Sequence, residues 1–136
     1  MLSAVSWTGA GDGSSWSDFS NWSGNQVPSA DDDVSIDAPG STINIASHVS
    51  IRSLQSNAHV SVESNWSLVL TAGTSTISGE LSCVLATLQV LGSGTSLSVT
   101  GAISGDEASF IVRDGGMLSL AGLTSYAGGT VNNYRP

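Results

Sequence analysis

The chain has 136 residues, a length that suits one domain with a single modest core. Only 10% of its residues are charged, against about 25% in an average globular chain, and its formal net charge is −8. The three basic residues are all Arg and lie far apart, whereas nucleic acids and anionic membranes need clustered positive charge, so we exclude both as partners.

Membrane and export signals are missing from the sequence as printed. No apolar stretch approaches the roughly 20 residues of a membrane helix, so we expect no membrane insertion. The opening Met-Leu-Ser-Ala-Val-Ser-Trp lacks the basic start and long apolar stretch of a signal peptide. We therefore expect that Met1 begins an excised fragment or that export uses another signal. Cys83 is the only cysteine, and its apolar setting predicts a buried core thiol.

Residues 1–33 form a distinct N-terminal segment that holds Trp7, Trp16 and Trp22. Spacings of nine and six residues (16−7 and 22−16) fit neither a helix nor a strand, so we place these tryptophans in loops and at strand ends. We predict a cap that covers the apolar end and the unpaired strand edges of a first coil. The alternative is a carbohydrate-binding module, in which exposed tryptophan rings stack on sugars.

Residues 34–136 read as short strands separated by corners rich in Gly, Asn and Ser. Apolar and polar residues alternate in segments of three to six residues, and no window of ten residues has helical periodicity. We predict strands at 34–36, 42–45, 49–51, 59–62, 66–70, 75–77, 85–90, 97–99, 110–112 and 117–120.

A recurrence of isoleucines suggests a repeat. Ile51, Ile77 and Ile103 are evenly spaced (77−51 and 103−77), and Val62 and Leu88 keep the same offset (88−62). Coils of roughly 20–30 residues with three strands each would stack these side chains in inward columns. We therefore predict an all-β, right-handed parallel β-helix, a β-solenoid, with an N-terminal cap; the alternative fold is a β-sandwich of jelly-roll type.

Two segments carry a family resemblance. Residues 6–36, with Trp7-Thr-Gly, Asn21-Trp-Ser-Gly and Asp32-Asp-Val-Ser-Ile, resemble the opening of bacterial autotransporter passengers and filamentous-haemagglutinin-like surface proteins. Residues 116–131 resemble the autotransporter-associated β-strand repeat through Tyr126, Gly128, Gly129 and Thr130. The resemblance implies a bacterial extracellular or cell-surface β-helix that serves as a stalk, an adhesin or a display platform.

Candidate metal ligands are few. Asp31, Asp32 and Asp33 offer carboxylate oxygens of the kind that calcium prefers, but they match no calcium-loop motif. We interpret them as a solvated acidic turn and expect no cofactor, with calcium as the alternative. His48 and His59 do not form a ligand-spaced cluster with Cys83.

Catalytic motifs are missing as well, so we predict that the chain is not an enzyme. No Gly-x-Ser-x-Gly elbow occurs. Asp106, Glu107 and Asp114, beside Arg113, are the only late cluster of carboxylates, and we interpret it as turns. A polysaccharide-degrading β-helix enzyme is the least favoured interpretation.

The last residues carry no capping element that the sequence reveals. A coil end without a cap would present unpaired strand edges. Two explanations follow: either the chain is a piece of a longer passenger, or copies dock head-to-tail into an oligomer or filament, with Tyr126, Gly128, Gly129 and Thr130 at the docking end. The predicted function is that of a non-enzymatic structural or adhesin segment. Its other expected partner is a host or polysaccharide surface.

Overall fold

The computed structural model describes residues 3–83, 85–104, 109–120 and 130–132. This part of the chain contains fifteen strands and two 3-10 helices, Phe19–Asn21 and Ser23–Asn25. The strands are β1 (Ser3–Ser6), β2 (Asp32–Ile36), β3 (Thr42–Ile45), β4 (His48–Ile51), β5 (Ser53–Ser56), β6 (His59–Val62), β7 (Ser67–Leu70), β8 (Thr74–Ile77), β9 (Leu81–Ser82), β10 (Thr87–Leu91), β11 (Ser96–Val99), β12 (Ile103–Ser104), β13 (Ser109–Arg113), β14 (Met117–Leu120) and β15 (Thr130–Asn132).

All of these strands pair in parallel and build three sheets. Sheet 1 has the order β1-β2-β5-β8-β11-β14, sheet 2 the order β3-β6-β9-β12, and sheet 3 the order β4-β7-β10-β13-β15. From β2 to β13 the chain visits the three sheets in a fixed cycle, which gives four complete coils in the described residues. The predicted β-solenoid is therefore confirmed. The alternative jelly roll is wrong, because its sheets would be antiparallel.

The spacing of the three isoleucines is not the length of a coil. Paired residues of neighbouring coils lie between 17 positions apart (59−42, Thr42 beside His59) and 22 positions apart (109−87, Thr87 beside Ser109). The spacing between the isoleucines is longer than a coil, because it covers one full coil and the step from one sheet to the next strand in the following sheet. Consequently Ile51, Ile77 and Ile103 lie on β4, β8 and β12, in three different sheets.

The core consists of inward columns of aliphatic side chains, because alternate residues of each strand point into the coil. In sheet 3 one column runs through Val49, Leu68, Leu88 and Phe110, and all four are buried. The five residues named from the recurrence, Ile51, Ile77, Ile103, Val62 and Leu88, are also buried in this core.

The corner between sheets 1 and 2 is closed by two stacked glycines. Gly101 lies directly against the backbone of Gly79, and Gly79 lies against Ala58 of the preceding coil. A Cβ atom at either position would overlap the neighbouring carbonyl group. The tight approach of successive coils at this corner therefore depends on glycine.

Candidate binding surfaces

The tryptophan segment folds over the N-terminal end of the solenoid. Trp16 and Trp22 are fully buried, with ring centroids 4.7 Å apart in an edge-to-face arrangement. Trp7 is half-buried and meets Trp22 edge-on at 5.0 Å. The Trp22 indole N–H donates to the Trp16 carbonyl at 2.7 Å. Since their rings are buried, Trp16 and Trp22 offer no face for a sugar, and the sugar-stacking alternative is wrong for these two residues.

Backbone pairing joins the segment to two of the three sheets. Strand β1 adds a parallel rung to sheet 1 by pairing with β2. On sheet 2, the Trp16 N–H donates to the Asn44 carbonyl at 3.0 Å, and the Asn44 N–H donates to the Ser14 carbonyl at 2.7 Å. The outer edge of β1 is in turn covered where the Ser6 N–H donates to Ser23 Oγ at 3.0 Å. The segment thus occupies the N-terminal edges of sheets 1 and 2.

Asn21 holds the loop of this segment together. Its side chain is fully buried, and Oδ1 accepts the N–H groups of Gly11 at 2.8 Å and Gly13 at 3.0 Å. Its Nδ2 donates to Asp12 Oδ1 at 2.8 Å and to the Ser15 carbonyl at 3.0 Å. One buried amide therefore satisfies four loop groups, which makes Asn21 a structural residue.

Asp12 closes the same network from the solvent side. Hydrogen bonds from Ser15, then from Ser14 and Asn21, hold the pKa of its carboxyl well below the usual 3.8. The Ser14 and Ser15 N–H groups donate to Oδ1 at 2.9 and 2.8 Å. This carboxylate is thus committed to the loop backbone in its charged form.

The three successive aspartates do not converge. Asp32 is buried and accepts the Ser29 N–H at 2.7 Å, whereas Asp33 accepts the Ser53 hydroxyl at 2.7 Å. Asp32 and Asp33 are neighbours on β2, so their side chains point to opposite faces, and Asp31 is exposed. Within the described ranges, no three His, Cys, Asp or Glu side chains gather in a way that could hold a metal ion.

The two histidines tie neighbouring coils together. His48 Nδ1 lies 2.9 Å from Ser67 Oγ, and His59 Nε2 lies 2.8 Å from Ser82 Oγ. The other imidazole nitrogen of His59, Nδ1, is 3.7 Å from a Glu80 carboxylate oxygen. Each histidine thus bridges one coil to the next.

Two shallow depressions flank the corner between sheets 1 and 2. One, of about 270 Å³, is lined by Asp37, Gln55 and Thr76 among others. The second, of about 320 Å³, includes His59 and Glu80, and Asn57 belongs to both linings. The Asn57 side chain donates to Asp37 at 2.7 Å, so the wall between the two depressions is fixed by hydrogen bonding.

An exposed aromatic pair lies at the corner between sheets 2 and 3. Trp66 is 37% exposed, and its ring meets His48 edge-to-face with centroids 5.0 Å apart. Sequence reasoning did not single out this pair, since it treated Trp66 as an ordinary strand residue. The signal that could have found it was the Ser64-Asn65 turn directly before it, which predicts a corner.

The predicted docking residues Tyr126, Gly128 and Gly129 lie outside the described residues, as do Asp106 and Glu107. Thr130 begins strand β15, which pairs with β13 at the far end of sheet 3.

No family model, curated protein or solved structure matches the chain. Among the described residues, none of the helices has the length and apolar character to cross a membrane. The resemblance to autotransporter passengers and filamentous haemagglutinins therefore stays a prediction.

Proposed function

We propose that the protein is a non-enzymatic structural segment of a bacterial extracellular or surface protein, a β-solenoid that acts as a stalk or adhesin. The observation that carries the proposal is the use made of the polar outer side chains. Histidine, serine and aspartate are the residue types that catalytic sites use, but here their side chains form hydrogen bonds between successive coils. The pairs are His48 with Ser67, Ser53 with Asp33 and His59 with Ser82. Side chains that form hydrogen bonds between coils stabilise the stack, and these three pairs do not converge on one site where a substrate could react.

Enzymatic activity on polysaccharides is the direct test of this proposal. The purified protein, incubated with neutral and acidic polysaccharides, is expected to release no new reducing ends and no unsaturated sugars. Attachment of protein-coated beads to bacterial or host-cell surfaces, compared with albumin-coated beads, tests the adhesin role. Cleavage products that disappear on substitution of a described carboxylate would refute the structural assignment.

Head-to-tail assembly belongs to the proposal as its second part, and the N-terminal cap is the feature that opposes it. Stacking through that end requires free strand edges, and the cap occupies those of sheets 1 and 2. Light scattering and electron microscopy should therefore compare the intact chain with Asn21→Ala, which loosens the cap. End-to-end assembly predicts longer particles for Asn21→Ala at equal concentration. Particles of monomer size for both proteins, at every concentration, would refute assembly through the ends.

A further inference from the structure

The three outer faces of the solenoid differ in chemistry, and sheet 3 is the least polar of them. Its outward positions include Val69, Leu91 and Ile111, all partly exposed. Trp66 is exposed at the adjoining corner, and there the carbonyl of the half-exposed Leu85, one coil further on, accepts the N–H of Asn65 at 2.9 Å. The outward positions of sheet 1 from β2 onward, by contrast, are mostly hydroxyl and amide residues.

Charged side chains are sparse at the outward positions of the described part of this face. The chain carries eleven acidic residues against three basic ones. Asp33 projects from the face of sheet 1, and Glu63 and Glu80 contact outward side chains of sheet 2. The outward positions of the described strands of sheet 3 hold no carboxylate, and Arg113 is their one full charge. A partner of this face therefore meets no carboxylate at the described outward positions, and one positive charge, that of Arg113 at the end of β13.

Polar groups recur along the same face at a regular interval. Thr87 and Ser109 are register partners in one outward column, and Gln89 lies between Val69 and Ile111 in the next. Neighbouring strands are about 4.8 Å apart, so donors and acceptors repeat along the solenoid axis at that interval. Apolar contacts and hydrogen-bonding groups thus alternate on a strip without outward carboxylates in its described strands, and the Trp66 ring flanks the strip at the corner before β7.

We propose that this strip, sheet 3 with Trp66 at its corner, binds a neutral polysaccharide chain laid along the solenoid axis. A sugar ring presents an apolar C–H face suited to an indole and a rim of hydroxyls suited to amides and hydroxyls, and a polymer repeats both. The site deepens the proposed adhesin function and rests on it.

The test measures retention of the intact protein in native affinity electrophoresis. Hydroxyethylcellulose, xyloglucan and dextran serve as neutral probes, and polygalacturonate serves as the acidic one. Retention by a neutral probe is expected, and Trp66→Ala should weaken it about tenfold, which corresponds to roughly 1.4 kcal/mol. Trp66→Phe, which keeps an aromatic ring, should retain most of the binding.

Two further variants control for folding and for position. Phe19→Ala removes an aromatic ring that is 58% exposed on the cap, far in sequence from the strip, and should leave retention unchanged. Gln89→Glu places a carboxylate in the middle of the strip at an outward position and should weaken binding even if Trp66→Ala were to perturb the corner. Circular dichroism spectra that superimpose on that of the parent chain establish that each variant is folded.

The opposite results overturn the site. They are retention by none of the neutral probes, retention by polygalacturonate alone, or equal losses in Phe19→Ala and Trp66→Ala. Dimer formation that Trp66→Ala abolishes, without retention by any glycan, would assign the strip to a second copy instead. None of these outcomes would refute the proposed structural function. Polysaccharide cleavage would refute that function, and the retention experiment would still decide whether the strip binds a glycan.

Discussion

Replacement of Gly101 by alanine tests how closely the coils approach at the corner between sheets 1 and 2. A Cβ atom there would lie 2.5 Å from the Gly79 carbonyl carbon and 2.8 Å from the Ser78 carbonyl oxygen, and nearer still to the Gly79 oxygen. Non-bonded carbon atoms pack at about 3.5–4.0 Å, so the two corners must separate by about 1 Å.

The cost follows from what holds the corner on either side. The Leu81 N–H donates to the Ala102 carbonyl at 2.9 Å, and the Thr100 N–H donates to the Ile77 carbonyl at 3.0 Å. A separation of about 1 Å weakens both bonds, each contributing about 1 kcal/mol. Together with the usual strain of overpacking, about 1–3 kcal/mol, we expect Gly101→Ala to lower the free energy of unfolding by about 3 kcal/mol.

Gly94→Ala is the comparison variant, because it combines a positive φ, which Gly101 lacks, with the absence of a clash. Gly94 has a φ of +84°, and a Cβ atom there would meet nothing within 4 Å. The substitution should therefore cost only the conformational strain of about 1–2 kcal/mol. Urea unfolding, followed by circular dichroism and tryptophan fluorescence, gives both free energies. If Gly101→Ala proves no more destabilising than Gly94→Ala, at an unchanged denaturant dependence, the two coils do not approach as closely as the structure shows.

Three smaller tests address polar groups in the core and the cap. Ser75 is fully buried, and its Oγ accepts the Leu54 N–H at 2.9 Å. Ser75→Ala leaves that buried N–H without its partner and should lower the free energy of unfolding by about 1–3 kcal/mol. Ser98→Ala, at an outward position, should lower it by much less. Burial raises the pKa of the Cys83 thiol from 9.0 to about 12, so the unfolded chain loses this proton first and stability should fall as the pH rises above 9. In the native protein the Cys83 thiol should also not react with a thiol reagent, whereas it should react with that reagent once the chain is unfolded. Because the pKa of Asp12 is lowered in the folded chain, its charged carboxylate stabilises the fold above pH 3.8, and this stabilisation is lost as the pH falls further. An acid-induced change in tryptophan emission should therefore begin below pH 3.8 and be absent in Asp12→Ala.

The fold class could be predicted because alternation is a local property. The predicted strands at 42–45, 59–62 and 117–120 have the bounds of β3, β6 and β14. Strand β5, Ser53–Ser56, escaped prediction because a single large apolar residue, Leu54, gives no alternation to detect. The two-residue strands β9 and β12 are too short to carry any pattern.

The isoleucine spacing of 26 residues (77−51 and 103−77) does not mark one coil, and the reason is physical. The corner between sheets 1 and 2 contains five residues in the first coil, 37–41, but only two in the second, 57–58. Unequal corners shift the register from coil to coil, so no fixed sequence period marks one sheet. The even spacing of Ile51, Ile77 and Ile103 could therefore arise while the chain stepped from sheet to sheet.

Whether a tryptophan of this chain can bind a ligand depends on its exposure to solvent, which the sequence does not encode directly. Trp16, Trp22 and Trp66 are followed by the same residue, serine, yet the first two are buried in the cap and the third is exposed at a corner. The difference comes from what folds over each ring. The cap turns back on itself through the Asn21 network and covers its own tryptophans. The tight turn at Asn65, with a φ of +72°, has no such covering segment among the residues described.

The cap also bears on where a partner can bind. Docking at the N-terminal end would have to displace buried Trp16 and Trp22 and the backbone pairing with Asn44. Binding to the side of the solenoid displaces only solvent. A lateral site also grows with every coil, because each coil adds another rung of outward side chains, whereas an end offers one site however long the stack becomes. For an adhesin that must hold a repetitive surface polymer, the side of the stack is therefore the more effective binding surface. Affinity that rises with the length of the oligosaccharide, up to the length of the described part of sheet 3, is the signature that separates lateral binding from docking at an end.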